Sequence, residues 1–297
     1  SSEGLAAVPP PDPANAREPA MAAWARALLL ALPAAVLGSG GARALGRGGR
    51  PRRLGAERSC TAAKHCGVKW EYQCNDSLLE DFAATLPAGL RSLTLDLAQS
   101  RAGDPGLAAL ARKLPQRLLG LDLRLDRTRA TGYGLELLTR AMPSTLKLLR
   151  LSLSGLPVGD SLLALLSRQL PDTMLNLTLG LFQTGVTDLG FQALGGFSLP
   201  TGLQSLTLLL EETSVTDRAM GALAQSLRGG LRSLTLSVSS HVTDRGLWSL
   251  AAHMPTGLSR LSLSAPGAGV TDAGLGALAG RLPPGARKVS LGLEGTG

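Results

Sequence analysis

Aromatic side chains are nearly absent from this chain, with four Phe, two Tyr and three Trp among 297 residues. A core built on rings is thereby excluded, and Leu and Ala must fill the interior. Histidine and cysteine are as scarce, three of each, which leaves little for a multi-ligand metal site. Cys60, Cys66 and Cys74 contain no paired C-x2-C, so zinc held by these three and His65 is not expected. No glycine-rich phosphate loop follows a strand pattern, and no Ser/His/Asp or Cys/His order comes with a supporting motif. No cofactor is expected. The apolar run from Ala27 to Leu37 is too short to span a bilayer.

Basic residues exceed acidic ones, for a formal charge of +8. Residues 1–58 carry eight Arg and four acids, and residues 59–297 carry 22 Lys/Arg and 18 acids. No Arg/Lys block interleaves with aromatics, so a nucleic-acid partner is not expected.

The N-terminal region lacks any sustained apolar period. Residues 1–20 are rich in Pro and Ala and read as disordered. Met21 then opens one Arg, an apolar run and small residues with Ala-x-Ala at Ala42–Ala44, the layout of a secretory signal peptide. The Arg-rich stretch behind it also suits an organelle transit region or a flexible basic linker. The expectation is a targeting segment at 21–44 within a linker region 21–58, and a secretory or organellar location, with a cytoplasmic one as the alternative.

From Leu90 onward one pattern recurs, L-x-x-L-x-L-x-L, as in "LRSLTLDL" at Leu90, "LLGLDLRL" at Leu118 and "LRSLTLSV" at Leu231. Eight copies start 28, 28, 28, 29, 28, 27 and 28 residues apart. Apolar residues alternate within each copy, which is strand period with one face buried. A helical period follows: from Val242, the apolar residues Leu247, Leu250 and Met254 lie on one helix face. Pro115, Pro143, Pro171, Pro200, Pro255 and Pro283 then end most of these helices. Neither element can bury its apolar side alone, so the units must stack into a solenoid, with a parallel sheet on the inside of a curve and helices outside.

The unit "LRSLTLSVSSHVTDRGLWSLAAHMP" resembles the leucine-rich-repeat superfamily, closest to its ribonuclease-inhibitor-like and cysteine-containing subfamilies. The resemblance covers about residues 66–297 and implies an α/β horseshoe. The chain departs from the pattern at two cysteines, where Ser239 and Met254 stand. Phe182, Glu211 and Pro266 replace the first in other units. The ladder of Asn or Cys that satisfies the turn backbone in that family is missing.

"VTD" recurs at Val186, Val215, Val242 and Val270 at one point of the unit, and Asp76, Asp104 and Asp160 join its Asp column. A Thr or Asp there should cap the orphan N–H groups of the helix that follows, a structural role worth about 1 kcal/mol per cap. His241 and His253 sit where sister units hold Gly, Ser or Arg, so a hydrolase built on His241, Asp244 and His253 is not expected. Residues 59–89 form a degenerate cap unit ahead of the solenoid at 90–297. Its Cys74 falls on the Val242-type core position and reads as a small buried hydrophobe, with a Cys60–Cys66 or Cys66–Cys74 disulfide as the alternative. The last strand, Val289–Leu293, reads as an open edge that a partner could cover.

Residues between the inward Leu positions should face the concave side. Asp96, Asp122, Arg124 and Arg150 form a charged patch there, and Thr178, Thr207 and Thr235 begin a hydroxyl ladder toward the C-terminus. These seven are the candidate partner-binding residues. By fold analogy the resemblance implies a non-enzymatic module that binds another protein. A substrate-recognition arm of a ubiquitin ligase is the alternative, although residues 1–65 contain nothing like an F-box. A carbohydrate or ice-like surface against the Thr/Ser ladder is a more remote reading.

Overall fold

The computed structural model describes residues 56–61, 64–70, 74–196, 199–227 and 229–295, with backbone alone at 56–61 and 194–196. The segment 21–44 lies outside the described residues. Strand β1 (Ala56–Thr61) pairs antiparallel with β2 (His65–Trp70), and from there strands and helices alternate. In chain order come α1 (Asp76–Ala84), β3 (Ser92–Asp96), α2 (Asp104–Lys113), β4 (Gly120–Arg124), α3 (Gly132–Arg140) and β5 (Leu148–Ser152). They continue as α4 (Asp160–Gln169), β6 (Asn176–Gly180), α5 (Asp188–Gly196), β7 (Ser205–Leu209), α6 (Asp217–Ser226) and β8 (Ser233–Ser237). The run ends with α7 (Asp244–Ala252), β9 (Arg260–Ser264), α8 (Asp272–Ala279) and β10 (Lys288–Gly292).

The ten strands lie in chain order in one sheet, and β2 to β10 are all parallel. Register follows the repeat without a slip, so Leu93, Leu121, Leu149, Leu177, Leu206, Leu234 and Leu261 stand side by side. All seven are buried against the helices. Strands pack about 4.8 Å apart and helices about 8–10 Å, so a stack of such units curves with the sheet inside. The fold is a leucine-rich-repeat solenoid.

β1 begins inside the stretch read as linker. Its six residues carry no apolar alternation, so the sequence pattern gave no strand signal there. At this end Trp70 and Phe82 meet edge to face at 5.1 Å and close the first Leu layer. Cys74 is fully buried and free, and burial pushes its thiol up to about 12, which fits the hydrophobe reading. Cys66 is disulfide-bonded, and the strand register sets it opposite Cys60. The Cys66–Cys74 pairing is thereby excluded.

The missing Asn or Cys ladder is replaced by backbone. Beyond each strand the N–H of Leu97, Leu125, Leu153, Leu181, Leu210, Val238 and Ala265 donates to the next unit at 2.7–2.9 Å. Two residues on, Gln99, Arg127, Gly155, Gln183 and Gly267 do the same while holding a left-handed turn. The unit that starts at Leu231 is one residue short, and among the described residues it alone shows no left-handed turn there. The 27-residue step is the loss of that residue.

The Asp column does not cap as the sequence suggested. Thr131, Thr216, Thr243 and Thr271 do cap their own helices, each hydroxyl accepting from the N–H two residues on. The Asp is the first helical residue and reaches forward to the next unit. Asp104 accepts from Thr131 N (2.7 Å), Thr131 Oγ1 (2.6 Å) and Gly134 N (3.2 Å). Asp217 accepts likewise from Thr243 N, Thr243 Oγ1 and Gly246 N. Glycine three residues after the capped position lets a third N–H reach the carboxylate, since a Cβ on Gly134 would stand 2.5 Å from Asp104 Oδ1 and one on Gly246 would stand 2.7 Å from Asp217 Oδ1, whereas Asp188, facing Ala219, bonds only Thr216 N and Oγ1.

Candidate functional site

Strands β2 to β9 pack one face against helices, whereas Val289 and Leu291 of β10 remain 42% and 44% exposed, and the opposite face of the sheet offers three columns of side chains. The first residue of each strand gives His65, Ser92, Gly120, Leu148, Asn176, Ser205, Ser233, Arg260 and Lys288. The third gives Thr94, Asp122, Arg150, Thr178, Thr207, Thr235, Ser262 and Ser290, and the fifth gives Asp96, Arg124, Ser152, Gly180, Leu209, Ser237 and Ser264. All seven candidate residues therefore lie on this one face, Asp122, Arg150, Thr178, Thr207 and Thr235 in the middle column and Asp96 and Arg124 in the next.

The face is not uniform. Thr178 and Thr207 are only 7% and 6% exposed and offer a partner little surface. Leu209 and Ser237 beside them are buried as well. Thr94 is exposed, and Leu148 stands out as a large apolar side chain, 37% exposed at the start of β5. Sequence reasoning passed over Leu148 because it occupies the strand's first position, outside the two columns compared; its placement beside Arg150 on β5 was the available signal.

The charged patch is a network spanning β3, β4 and β5. Arg124 Nη1 donates to Asp96 Oδ2 and Arg150 Nη1 to Asp122 Oδ2, both at 3.2 Å. Each pair joins one strand to the next, which parallel register makes possible between positions 28 residues apart. The pairing is incomplete. Arg124 Nε, Arg150 Nε and Asp122 Oδ1 are buried without a hydrogen-bond partner. Such orphans are uncommon in folded proteins and costly. Burial pushes the Asp122 carboxyl up, against the opposing pull of Arg150 and Arg124.

A second polar group lies at the C-terminal ends of the strands. Asp126 accepts from Ser152 Oγ (2.6 Å) and Ser154 N (3.0 Å). Glu211 accepts from Ser237 Oγ, and burial raises its proton affinity. Away from the sheet, His241 and His253 are exposed, and Asp244 is committed to Thr271 of the next unit. The three do not form one site. Among the described residues no group of three or more His, Cys, Asp or Glu is placed to hold a metal ion, and no helix is long and apolar enough to cross a membrane.

No protein-family profile matches the chain, and no curated protein does. Solved structures do. The chain is similar to one in the crystal structure of the Rad7 and Elc1 complex in yeast, at 18% identity over 76% of this chain and 69% of that one, with a TM-score of 0.40. It is also similar to an internalin (inlF) from Listeria monocytogenes str. 4b F2365, at 16% identity, TM-score 0.38 and 68% coverage of this chain. It spans about half, 54%, of that internalin.

Proposed function

We propose that this solenoid is a non-enzymatic protein-binding module that receives its partner on the concave face of the sheet. One observation carries the reading: the Asp96/Arg124 and Asp122/Arg150 network holds polar atoms without partners on an otherwise regular surface. A fold that stacks so evenly has no structural need for such a cluster there, since the adjoining strands manage with Thr and Ser. The experiment is site-specific photo-crosslinking in cells, with the crosslinker at Thr94 on the sheet face or at Arg112 on the exposed side of α2. A discrete partner captured from Thr94 and not from Arg112 is the expected result. Equal capture from both would remove the concave face from consideration, and recovery of ligase adaptor subunits would favour the ubiquitin-ligase reading instead.

We also propose that the protein enters the secretory pathway or an organelle. The signal-like layout at 21–44 and the disulfide at Cys66 support this, because disulfides persist in oxidising compartments. Sequencing the mature N-terminus tests it: a start near Leu45 is expected, and an intact Ser1 would refute cleavage at Ala44.

A further inference from the structure

The solenoid's excess positive charge sits in one half. Residues 64–155 hold 13 Lys/Arg against nine Asp/Glu, whereas residues 156–297 hold nine of each. That basic half contains the charged network on β3–β5. Arg124 and Arg150 each spend Nη1 on one carboxylate and bury Nε, yet their side chains remain 30% and 25% exposed. The Nη2 of each donates no hydrogen bond to the protein and is not among the buried unpaired atoms. It is therefore the part of the guanidinium left open to the concave side. Arg124 and Arg150 stand on adjacent strands, displaced by two residues, which sets their backbones about 8 Å apart. Arginine side chains can close that span around a single planar acceptor. Leu148, exposed on the same strand as Arg150, gives an apolar contact beside it.

We propose that Arg124 and Arg150 together grip a carboxylate side chain from an acidic segment of the partner protein, through their free Nη2 groups, with Leu148 as the neighbouring apolar contact. The proposal rests on the concave-face reading above. Asp96 and Asp122 hold the two guanidinium groups from the preceding strand, which lowers the cost of ordering two long side chains on binding. The net positive charge of residues 64–155 as a whole attracts an acidic segment at longer range.

The test uses fluorescence anisotropy with a labelled deca-glutamate peptide, a deca-glutamine peptide of the same length and a short single-stranded oligonucleotide. Wild-type protein is expected to bind deca-glutamate in a salt-sensitive way and to ignore deca-glutamine. Arg124→Gln and Arg150→Gln should each weaken binding about tenfold, the worth of one charge-assisted hydrogen bond. Arg150→Lys should fall between Arg150→Gln and wild type, and Arg112→Gln on α2 should change affinity by less than about twofold. Thermal melts confirm that each variant is folded. Equal losses at Arg112 and Arg124 would mean diffuse attraction and overturn the grip, as would no binding by the folded wild type. Tighter binding of the oligonucleotide at the same two arginines would reassign the site to nucleic acid. A partner that crosslinks from Thr94 but binds Arg124→Gln as well as wild type would refute this proposal and leave the concave-face reading standing.

Discussion

Among the described residues, six of the seven helix-to-helix joints carry a forward-reaching Asp, and the joint between α3 and α4 does not. Gly132 stands where Asp76, Asp104, Asp160, Asp188, Asp217 and Asp244 stand elsewhere. Its absence changes the neighbour. At the third residue past the capped position Gly106, Gly134, Gly190, Gly246 and Gly274 leave room for an incoming carboxylate, and Ala219 nearly does. After Gly132 that position is Leu162, buried, and the α4 cap residue Gly159 has no side-chain hydrogen bond. A groove of about 550 Å³ opens here, lined by Tyr133, Glu136, Leu162, Leu165 and Arg168 among others. Two arrangements thus join neighbouring units: a carboxylate locked onto backbone N–H groups opposite a small residue, or no carboxylate, a buried Leu162 in the glycine's place and an open groove beside it.

The largest effect should come from forcing the wrong residue into a carboxylate joint. Gly134→Val drives a side chain into Asp104 and should lower stability by about 2–3 kcal/mol, read as a fall in the urea midpoint. An unchanged midpoint would mean the joint yields easily and that the glycine column has another cause. Next, Asp217→Ala removes three hydrogen bonds to the start of α7 and should cost about 2 kcal/mol. Asp217→Asn keeps an acceptor and should cost less, and hydrogen exchange should locate the loosening at Thr243–Gly246. A third change converts one joint into the other: Gly132→Asp should gain nothing beside Leu162, but a double-mutant cycle with Leu162→Gly should show favourable coupling of about 1 kcal/mol. Zero coupling would sever the link between the two columns.

The smallest effect is a slope. Because burial raises the Glu211 carboxyl, the folded state holds that proton more tightly than the unfolded chain does. Stability contributed at this site is therefore greatest at acidic pH and declines as pH rises from the ordinary Glu range through the raised folded value. Glu211→Gln should flatten that decline in a Tm-against-pH series. A parallel shift of the whole curve would mean that packing, not charge, is what the substitution altered.

Period, strand face and the core column were legible because each unit repeats its own evidence: alternation gave the sheet and Leu247-type spacing gave the helices. The Asp partners were not, since capping arguments look within a unit and these bonds cross 26 to 30 residues. The signal existed nonetheless, in Leu162 replacing glycine one unit after Gly132. The charged patch was legible as a patch, because Asp96, Asp122, Arg124 and Arg150 share columns. Its incomplete pairing was not, since hydrogen-bond geometry is absent from a column of letters. Thr178 and Thr207 were placed correctly on their face, but their burial depends on neighbours that sequence does not weigh.

The forward reach of each Asp gives the stack a head and a tail. A unit lost from the C-terminal side merely returns the preceding carboxylate to water, where it is well solvated. A unit lost from the N-terminal side leaves first-turn N–H groups without their carboxylate acceptor and removes the negative charge that favours the positive end of the helix. Shortened versions trimmed from opposite ends, though equal in length, should therefore differ in soundness, and growth of the structure should proceed more readily in the direction in which a ribosome delivers the chain.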